Sequence, residues 1–502
     1  MSQMAVDFYK GYTHTEFVMP ATSPLAGHVG RWARYTLQER EFNPRFKRWE
    51  PKKNSMYALY DEKTNRFHVP VAFTYDVIAV MGEWGAQCIE HKLPDYELGE
   101  LGIQMRPEFS DLPHQVKLIQ QCSEKTPGMK VLAMQTGKGK TYSAIKCAVN
   151  LGYPVMVIVD GLVDQWIDKG ASSFLNCTTI NADDLYRIQG FESIALLMQN
   201  PQYRPKVFVA SLTTMQLYSV GRNDYDLLPL NYAQFFQYYG IGTKIVDECH
   251  MNFHANTIMD LRSNVPYNLY CSATPTQSSK QARAIFERIF PERLQFGLDA
   301  YDKYVTTYFY NFSGEVMERK CVRQRGYQHI RYEADLLKSD RKLTSHINQM
   351  FLPMINQYFI PNYKPGRKML IFCSTIQFID AVVGKLQAAY PEMKVGKYIG
   401  GCSMGDLKEL DIIVTTPGKG GTGLDLKGLI AVYNTVSTES IPRILQIVGR
   451  LRRMDDVNLV YIDRCDINLS SHVRHARTRK EQLRRISKQF QEYNGLCDLR
   501  VF

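Results

Sequence analysis

The sequence predicts an α/β protein: two tandem lobes built on parallel sheets, a small α+β domain ahead of them and a basic helix behind. Three observations carry this. Short apolar runs at 129–134, 155–159, 207–210, 244–246, 368–372 and 411–415 read as buried parallel strands with polar or glycine ends. Between the first run and a helical segment at 142–150 lies the glycine-rich turn Thr136-Gly137-Lys138-Gly139-Lys140-Thr141. The 502 residues exceed what one core can hold and correspond to three or four domains.

Composition narrows the class. The apolar share of 45% fits a folded globular chain, and no apolar run reaches the roughly 20 residues of a membrane span. The first residues contain Asp7 and no basic-then-apolar leader, so a cytoplasmic location is expected. None of the 11 cysteines forms a C-x-x-C pair, which disfavours zinc and redox motifs. The net charge of +11 is modest for this length and does not by itself establish a nucleic-acid partner.

Residues 1–105 lack the strand–loop–helix pattern. Tyr57 to Tyr60 and Phe67 to Pro70 read as two short strands around a polar turn at Lys63-Thr64-Asn65, hence a small α+β domain. Arg45-Phe46-Lys47-Arg48-Trp49 interleaves cations with aromatics. Such a segment is either a solvated basic face or a phosphate grip, and Arg45, Lys47, Arg48 and Trp49 are the candidate contacts.

The first lobe is expected over 106–295. A glycine turn closing on Gly-Lys-Thr at the start of a helix presents backbone N–H groups, and the positive end of the helix dipole, to phosphate. Thr136, Gly137, Lys138 and Gly139 would form the cradle, Lys140 would reach the outer phosphates and Thr141 would ligate Mg²⁺; Met134 stands where the pattern usually has a glycine. Downstream, Lys244 to His250 ends an apolar strand in Asp247-Glu248. Hydrolysis of a phosphoanhydride needs one carboxylate on the metal and another to position or deprotonate water, roles that suit Asp247 and Glu248. Ser272-Ala273-Thr274 follows another apolar segment.

Asp247-Glu248-Cys249-His250 followed by Ser272-Ala273-Thr274 resembles the second and third motifs of superfamily-two helicases. The resemblance implies two RecA-like lobes and ATP hydrolysis coupled, through Ser272, Ala273 and Thr274, to movement along nucleic acid. By the same resemblance Gln115 recognises adenine. Gln165, within 162–166, and Thr213 and Thr214 contact the nucleic-acid backbone; Asp160-Gly161 replace the Pro-Thr often found before the first of these. The second lobe, 296–468, matches through Ser374, the polar end of the strand read over 368–374. It continues through Thr415 and Thr416, then a glycine run with Gly423 and Asp425, and finally Gln446-Ile447-Val448-Gly449-Arg450-Leu451-Arg452-Arg453. Ser374, Thr415 and Thr416 are implied backbone contacts, Gly423 and Asp425 nucleotide contacts, Gln446 a coupling residue, and Arg450 and Arg453 arginine fingers.

Phe42-Asn43-Pro44-Arg45-Phe46, with the Tyr-Asp and Pro-containing strands after it, resembles the N-terminal domain of UvsW-type phage helicases. That resemblance implies branched DNA as partner, in replication, recombination and repair, with recombination or replication proteins as further partners. An RNA helicase, a duplex translocase and an ATP-gated clamp remain alternatives. Residues 304–327, aromatic then basic with Ser313-Gly314 between, read as a hairpin, either an ordinary edge or a strand-separating wedge. The tail, 469–502, reads as a basic helix over 473–490, either a solvated face or an added phosphate grip.

Overall fold

The computed structural model describes residues 4–43, 46, 48–135, 137–161, 163–167, 174–221, 225, 227–273, 275–277, 279–297, 302–323, 326–400, 402, 405, 407–420, 426–454 and 456–495. The chain divides into two compact units, Met1–Asp299 and Ala300–Phe502.

The first unit opens with β1 (Met4–Lys10), β2 (His14–Val18), β3 (Gln38–Asn43), β4 (Arg48–Met56), β5 (Leu59–Asp61), β6 (Arg66–Pro70) and β7 (Ala86–Lys92). Five of them form a sheet in the order β5-β6-β2-β1-β7, in which only β1 and β7 run parallel. The polar turn falls between β5 and β6 as expected. Asp61 accepts from Lys63 N and Thr64 Oγ1, and Asn65 takes a left-handed φ of 52°. The amphipathic helix Pro24–Thr36 starts at Ser23, whose hydroxyl accepts from Leu25 N, and turns Leu25, Val29 and Ala33 inward. β3 and β4 stand apart, paired only with each other.

The N-terminal core does not end with its own elements. Val6, Phe8, Phe17, Val29 and Val77 belong to the same buried cluster as Met129, Val131, Phe253, Tyr270, Phe286 and Phe290. Each fully buried ring or branched side chain there contributes roughly 1.5–3 kcal/mol.

Those partners belong to β8 (Gly128–Ala133), β13 (Tyr267–Ser272) and the helices Phe253–Asp260 and Lys280–Ile289 of the first lobe. The lobe's other strands are β9 (Val155–Val159), β10 (Leu185–Ile188), β11 (Val207–Ser211), β12 (Thr243–Val246) and β14 (Gln295–Phe296). All pair in parallel, in the order β10-β11-β9-β12-β13-β8-β14. Runs such as Val-Met-Val-Ile-Val in β9 are buried throughout, as strands covered on both faces by crossover helices must be.

The second unit contains β15 (Val305–Phe312), β16 (Val322–Arg323), β17 (Gly326–Tyr327), β18 (Lys368–Phe372), β19 (Val395–Tyr398), β20 (Ile412–Thr415), β21 (Leu429–Asn434), β22 (Leu459–Asp466) and β23 (Gln489–Asn494). Its seven-stranded sheet, β19-β20-β18-β21-β22-β15-β23, is also all parallel. Setting aside the small β16–β17 pair, the strand order repeats that of the first lobe position for position. These are the two tandem RecA-like lobes that the sequence led us to expect.

Two expectations change here. The stretch 304–327 is not a projecting hairpin: β15 lies inside the sheet between β22 and β23, buried along nearly its whole length. Its aromatic alternation is a strand signal, and the parallel partners on both sides turn the strand into a core element. The basic helix spans Ser470–Ile486, and the chain then enters the sheet as β23 instead of trailing on as a helical tail.

Candidate functional site

The glycine-rich turn joins β8 to the helix Lys140–Leu151. Gly137 and Gly139 take φ of 89° and 81°, left-handed values that cost a side-chain-bearing residue energy. Gly139 is doubly constrained, because a Cβ there would lie 2.3 Å from Gln115 Nε2. Gln115 sits in the helix Pro113–Cys122 and donates through Nε2 to Lys138 O at 3.0 Å. His114 Nε2 donates to the same carbonyl at 3.0 Å. Two neighbouring side chains therefore pin the turn at its Lys138 carbonyl, and Lys138 N donates back to Gln135 O at 3.2 Å.

Lys140 pairs with Glu248 Oε1 and lies 3.6 Å from Asp247 Oδ1. Burial opposes the ammonium charge, but Glu248 and Asp247 outweigh it and hold Lys140 protonated above the ordinary lysine range. Burial likewise pushes the Asp247 carboxyl up, against the pull of Lys140. Asp247 is fixed by Glu248 N, which donates to Oδ1 at 2.9 Å, and by Trp166 Nε1, which donates to Oδ2 at 3.3 Å. Glu248 adopts φ 46°, so the backbone itself is turned to bring two successive carboxylates to one place.

From Glu248 the contacts run on to the third motif. His250 Nδ1 lies 3.4 Å from Glu248 Oε2 and is hydrogen-bonded to Ser272 Oγ at 2.8 Å. Burial pushes this imidazole down to about 4, so it is neutral at physiological pH. Gln277 Nε2 donates to His250 O at 2.8 Å. A continuous path thus links Lys140, Glu248, His250 and Ser272 inside one lobe. Ala273 is half-buried beside it.

The candidate backbone contacts divide. Thr213 is exposed, and Gln165 is half-buried on the helix Val163–Ile167. Thr214 and Thr415 point inward: Thr214 Oγ1 accepts from Gly190 N at 2.9 Å, and Thr415 Oγ1 donates to Tyr398 O at 2.6 Å. These two hydroxyls are engaged inside their own units, Thr214 in the first turn of the helix Leu212–Val220 and Thr415 at the end of β20. In the second unit Ser374 and Thr416 line a cavity of about 720 Å³ together with Tyr327, Arg443, Arg474 and His475. Its wall is set by Glu333, whose carboxylate accepts from Ser374 N at 2.6 Å and Thr375 N at 2.7 Å.

Gln446 lies on the helix Ile441–Val448, and Arg450 and Arg453 follow it. Arg450 Nε donates to Gln446 O at 3.3 Å, and Arg453 stands 3.8 Å from Asp302. The basic helix is mostly occupied by structural pairs. Arg479 is fully buried on Asp463, Lys480 and Arg484 bind Glu492, and Arg485 binds Glu481. Arg48 and Trp49 are exposed on β4. Arg45, Lys47, Thr136, Thr274, Gly423 and Asp425 lie outside the described residues. Trp166, His250 and Glu333 were given no role of their own beforehand. Trp166 and His250 lie inside motifs read from the sequence, whereas nothing local marks Glu333.

No family model and no curated protein matches the chain in sequence. Among solved structures it is similar to phage T4 UvsW, with 13% identity, 98% of this chain and 100% of that one covered, and a TM-score of 0.34. It is similar to the Pyrococcus furiosus Hef helicase domain, with 14% identity, 73% and 98% coverage, and a TM-score of 0.45. Saccharomyces cerevisiae Dbp5 bound to RNA and ADP BeF3 shows 14% identity, 77% and 95% coverage, and a TM-score of 0.47.

Proposed function

We propose that the chain is an ATP-hydrolysing nucleic-acid motor of the helicase type that remodels branched DNA. The observation that carries this reading is the convergence of Lys140, Asp247 and Glu248 at the C-terminal edge of a parallel sheet, beside a glycine turn that opens a helix. ATP and Mg²⁺ suit the residues present. The left-handed Gly137 and Gly139 shape a tight turn that opens a helix, and paired carboxylates with a lysine match the charges of a metal and of phosphate oxygens. When bound, the nucleotide supplies the phosphoryl group transferred to water and the metal neutralises its charge.

The chain's own groups divide the remaining work. Gly137, Lys138, Gly139 and Lys140 hold phosphate, Thr141 and Asp247 hold the cation, and Glu248 orients water and takes its proton. Gln115 fixes the turn and is assigned to the base. Trp166 keeps Asp247 in its rotamer. His250, neutral and bonded to Ser272, relays the position of Glu248 to the end of β13. Arg450 and Arg453 on the second unit are assigned as the cations that complete the transition-state charge, an effect worth roughly 10³–10⁵ in rate where measured. Ser374, Thr416 and Thr213 are assigned to the DNA backbone, whose phosphates they contact without reading sequence. Arg48 and Trp49 are assigned to DNA at the N-terminal end, and the location is assigned as cytoplasmic.

The test is the hydrolysis rate with single strands, duplex, forks, four-way junctions and RNA, with Lys140→Ala as blank. Strongest stimulation by forks and junctions supports the reading. A preference for RNA moves the substrate to the RNA-helicase alternative, and equal stimulation by plain duplex moves it to a translocase.

A further inference from the structure

Among the described residues, the β3–β4 ribbon has no partner sheet, and the part of β4 beyond its base is not buried. Eight of the nine β4 positions are not buried. A two-stranded ribbon in water is at best marginally stable by itself. Here the base is held firmly. Tyr57, just after β4, is 1% exposed and donates from its hydroxyl to Glu39 Oε1 at 2.9 Å. Lys52 Nζ lies 3.3 Å from Glu39 Oε2, and Ser55 Oγ donates to Lys52 O at 2.7 Å.

The base is also tied to the first lobe. The Tyr57 ring packs on Phe253 at 5.1 Å and edge-on to His254 at 5.0 Å, and His254 Nε2 donates to Met56 O at 2.8 Å. Phe253 and His254 begin the helix that follows Asp247-Glu248-Cys249-His250. The ribbon is therefore rooted on the element immediately downstream of the hydrolytic carboxylates.

Its outer half is unusual for a surface. Trp49 is 64% exposed and Phe46 57% exposed, with the Arg48 guanidinium 5.4 Å from the Phe46 ring. Arg40, Lys52 and Lys53 are exposed along the same ribbon, and residues 38–56 carry six cations against three carboxylates. Two of the three acids, Glu39 and Glu50, are engaged with Lys52 and Arg48. Large aromatics held in water beside cations match a partner with flat π faces and phosphate charge, which is nucleic acid. A protein partner would be met by an apolar patch with a polar rim, and these rings are instead interleaved with charge.

We propose that this ribbon is the strand-separating element of the motor, with Trp49 and Phe46 stacking on the bases exposed at a DNA fork. The inference rests on the motor reading above. It places the wedge in the first unit, not at 304–327, and makes strand opening depend on a ring that takes no part in hydrolysis.

The experiment measures base pairs opened per ATP hydrolysed on forked DNA, with 2-aminopurine at the junction base pair. The wild-type chain is compared with Trp49→Ala, Phe46→Ala/Trp49→Ala and Trp49→Phe. Loss of the stack is expected to lower the ratio by about tenfold or more in the double variant and to abolish the 2-aminopurine signal, with Trp49→Phe restoring both. Displacement of streptavidin from a single strand, which opens no base pairs, is expected to fall far less. An unchanged ratio in the double variant, a loss that Trp49→Phe does not restore, or an equal loss in streptavidin displacement overturns the proposal. A wild-type chain that no DNA stimulates overturns the motor reading first, and is recognised without any variant.

Discussion

The two units share one sheet, strand for strand, and differ in what stands at the same place on it. β8 and β15 occupy the same position in the strand order. After β8 the chain opens into the glycine turn and Lys140. After β15 it reaches Ser313-Gly314, where Asp466 from the end of β22 accepts from Gly314 N at 3.0 Å and crowds the glycine so closely that a Cβ would lie 2.1 Å from its carboxylate. The second unit fills this position with its own carboxylate, whereas the first places a glycine turn and Lys140 there. A fold shared this closely carries different groups on the same loop in its two copies, so the local chemistry belongs to the loops and not to the sheet.

The ionic groups do not follow this division. Each unit holds an internal pair, Lys244 with Asp260 in the first and Arg479 with Asp463 in the second. Arg479 is 0% exposed, binds both Asp463 oxygens at 3.1 and 3.2 Å, and donates to Arg464 O at 2.8 Å. Arg479→Met leaves Asp463 buried without its partner and is expected to cost the second unit about 3–5 kcal/mol. All four tryptophans, 32, 49, 84 and 166, lie in the first unit. The variant should therefore shift the far-ultraviolet circular dichroism transition in urea while leaving the tryptophan fluorescence transition in place; coincident shifts would show that the units do not unfold independently.

Lys140→Ala is the matching test for the first unit. It is expected to lower hydrolysis by about two to three orders of magnitude without a comparable stability loss, whereas Ser313→Ala at the corresponding loop should leave hydrolysis unchanged. A loss in the Ser313 variant would break the contrast drawn between the two loops. Gly139→Ala comes next. Its φ of 81° and the clash with Gln115 are expected to cost about 1–3 kcal/mol, read as a lower melting temperature and weaker binding of a fluorescent ATP analogue.

Acidity sharpens the comparison with smaller effects. Glu16 in the first unit is held at about 2 despite its burial, by His14, His68 and Arg66. Its contribution is complete above the ordinary value of 4.5 and is lost as pH falls through about 2. Glu333 in the second unit is pushed up to about 7 by burial, against the pull of its Ser374 and Thr375 donors. Between about 4.5 and 7 the folded unit binds a proton that the unfolded chain releases, so this contribution is complete below 4.5 and is lost as pH rises through about 7. Urea midpoints should fall on the acid side for the fluorescence transition and on the alkaline side for the circular dichroism transition. Glu16→Gln and Glu333→Gln should each flatten their own slope only.

The parts legible from sequence were those written locally. The strand at 155–159 appears with its expected bounds because β-branched and apolar runs flanked by breakers have few alternatives, and the one read through Ser374 ends two residues earlier, at Phe372. The glycine turn was legible because glycine adopts a left-handed φ at little cost, and Asp247-Glu248 because two carboxylates end an apolar run. What escaped depends on distant partners. Gln-Phe-Gln-Glu-Tyr-Asn reads as a polar tail until β15 offers it a sheet edge, and becomes β23. The aromatic alternation of 305–312 marks a strand but not whether it lies inside or outside a sheet. Thr214 and Thr415 have the right residue type, yet their hydroxyls are taken by Gly190 N and Tyr398 O, partners distant in sequence. The bond from Trp166 to Asp247 crosses two elements that no periodicity connects.

The shared core of the N-terminal strands and the first lobe bears on inheritance. A first lobe that lost residues 1–92 would lay bare Phe253, Phe286, Phe290 and Tyr270 on and beside two helices and a strand. Those rings would drive association between copies before any mutation could recode them. The N-terminal part could therefore have been gained or shed only together with polar replacements on the helices Phe253–Asp260 and Lys280–Ile289. In related chains, the character of those two helix faces should reveal whether such an N-terminal part is present, even where its own sequence has diverged past recognition.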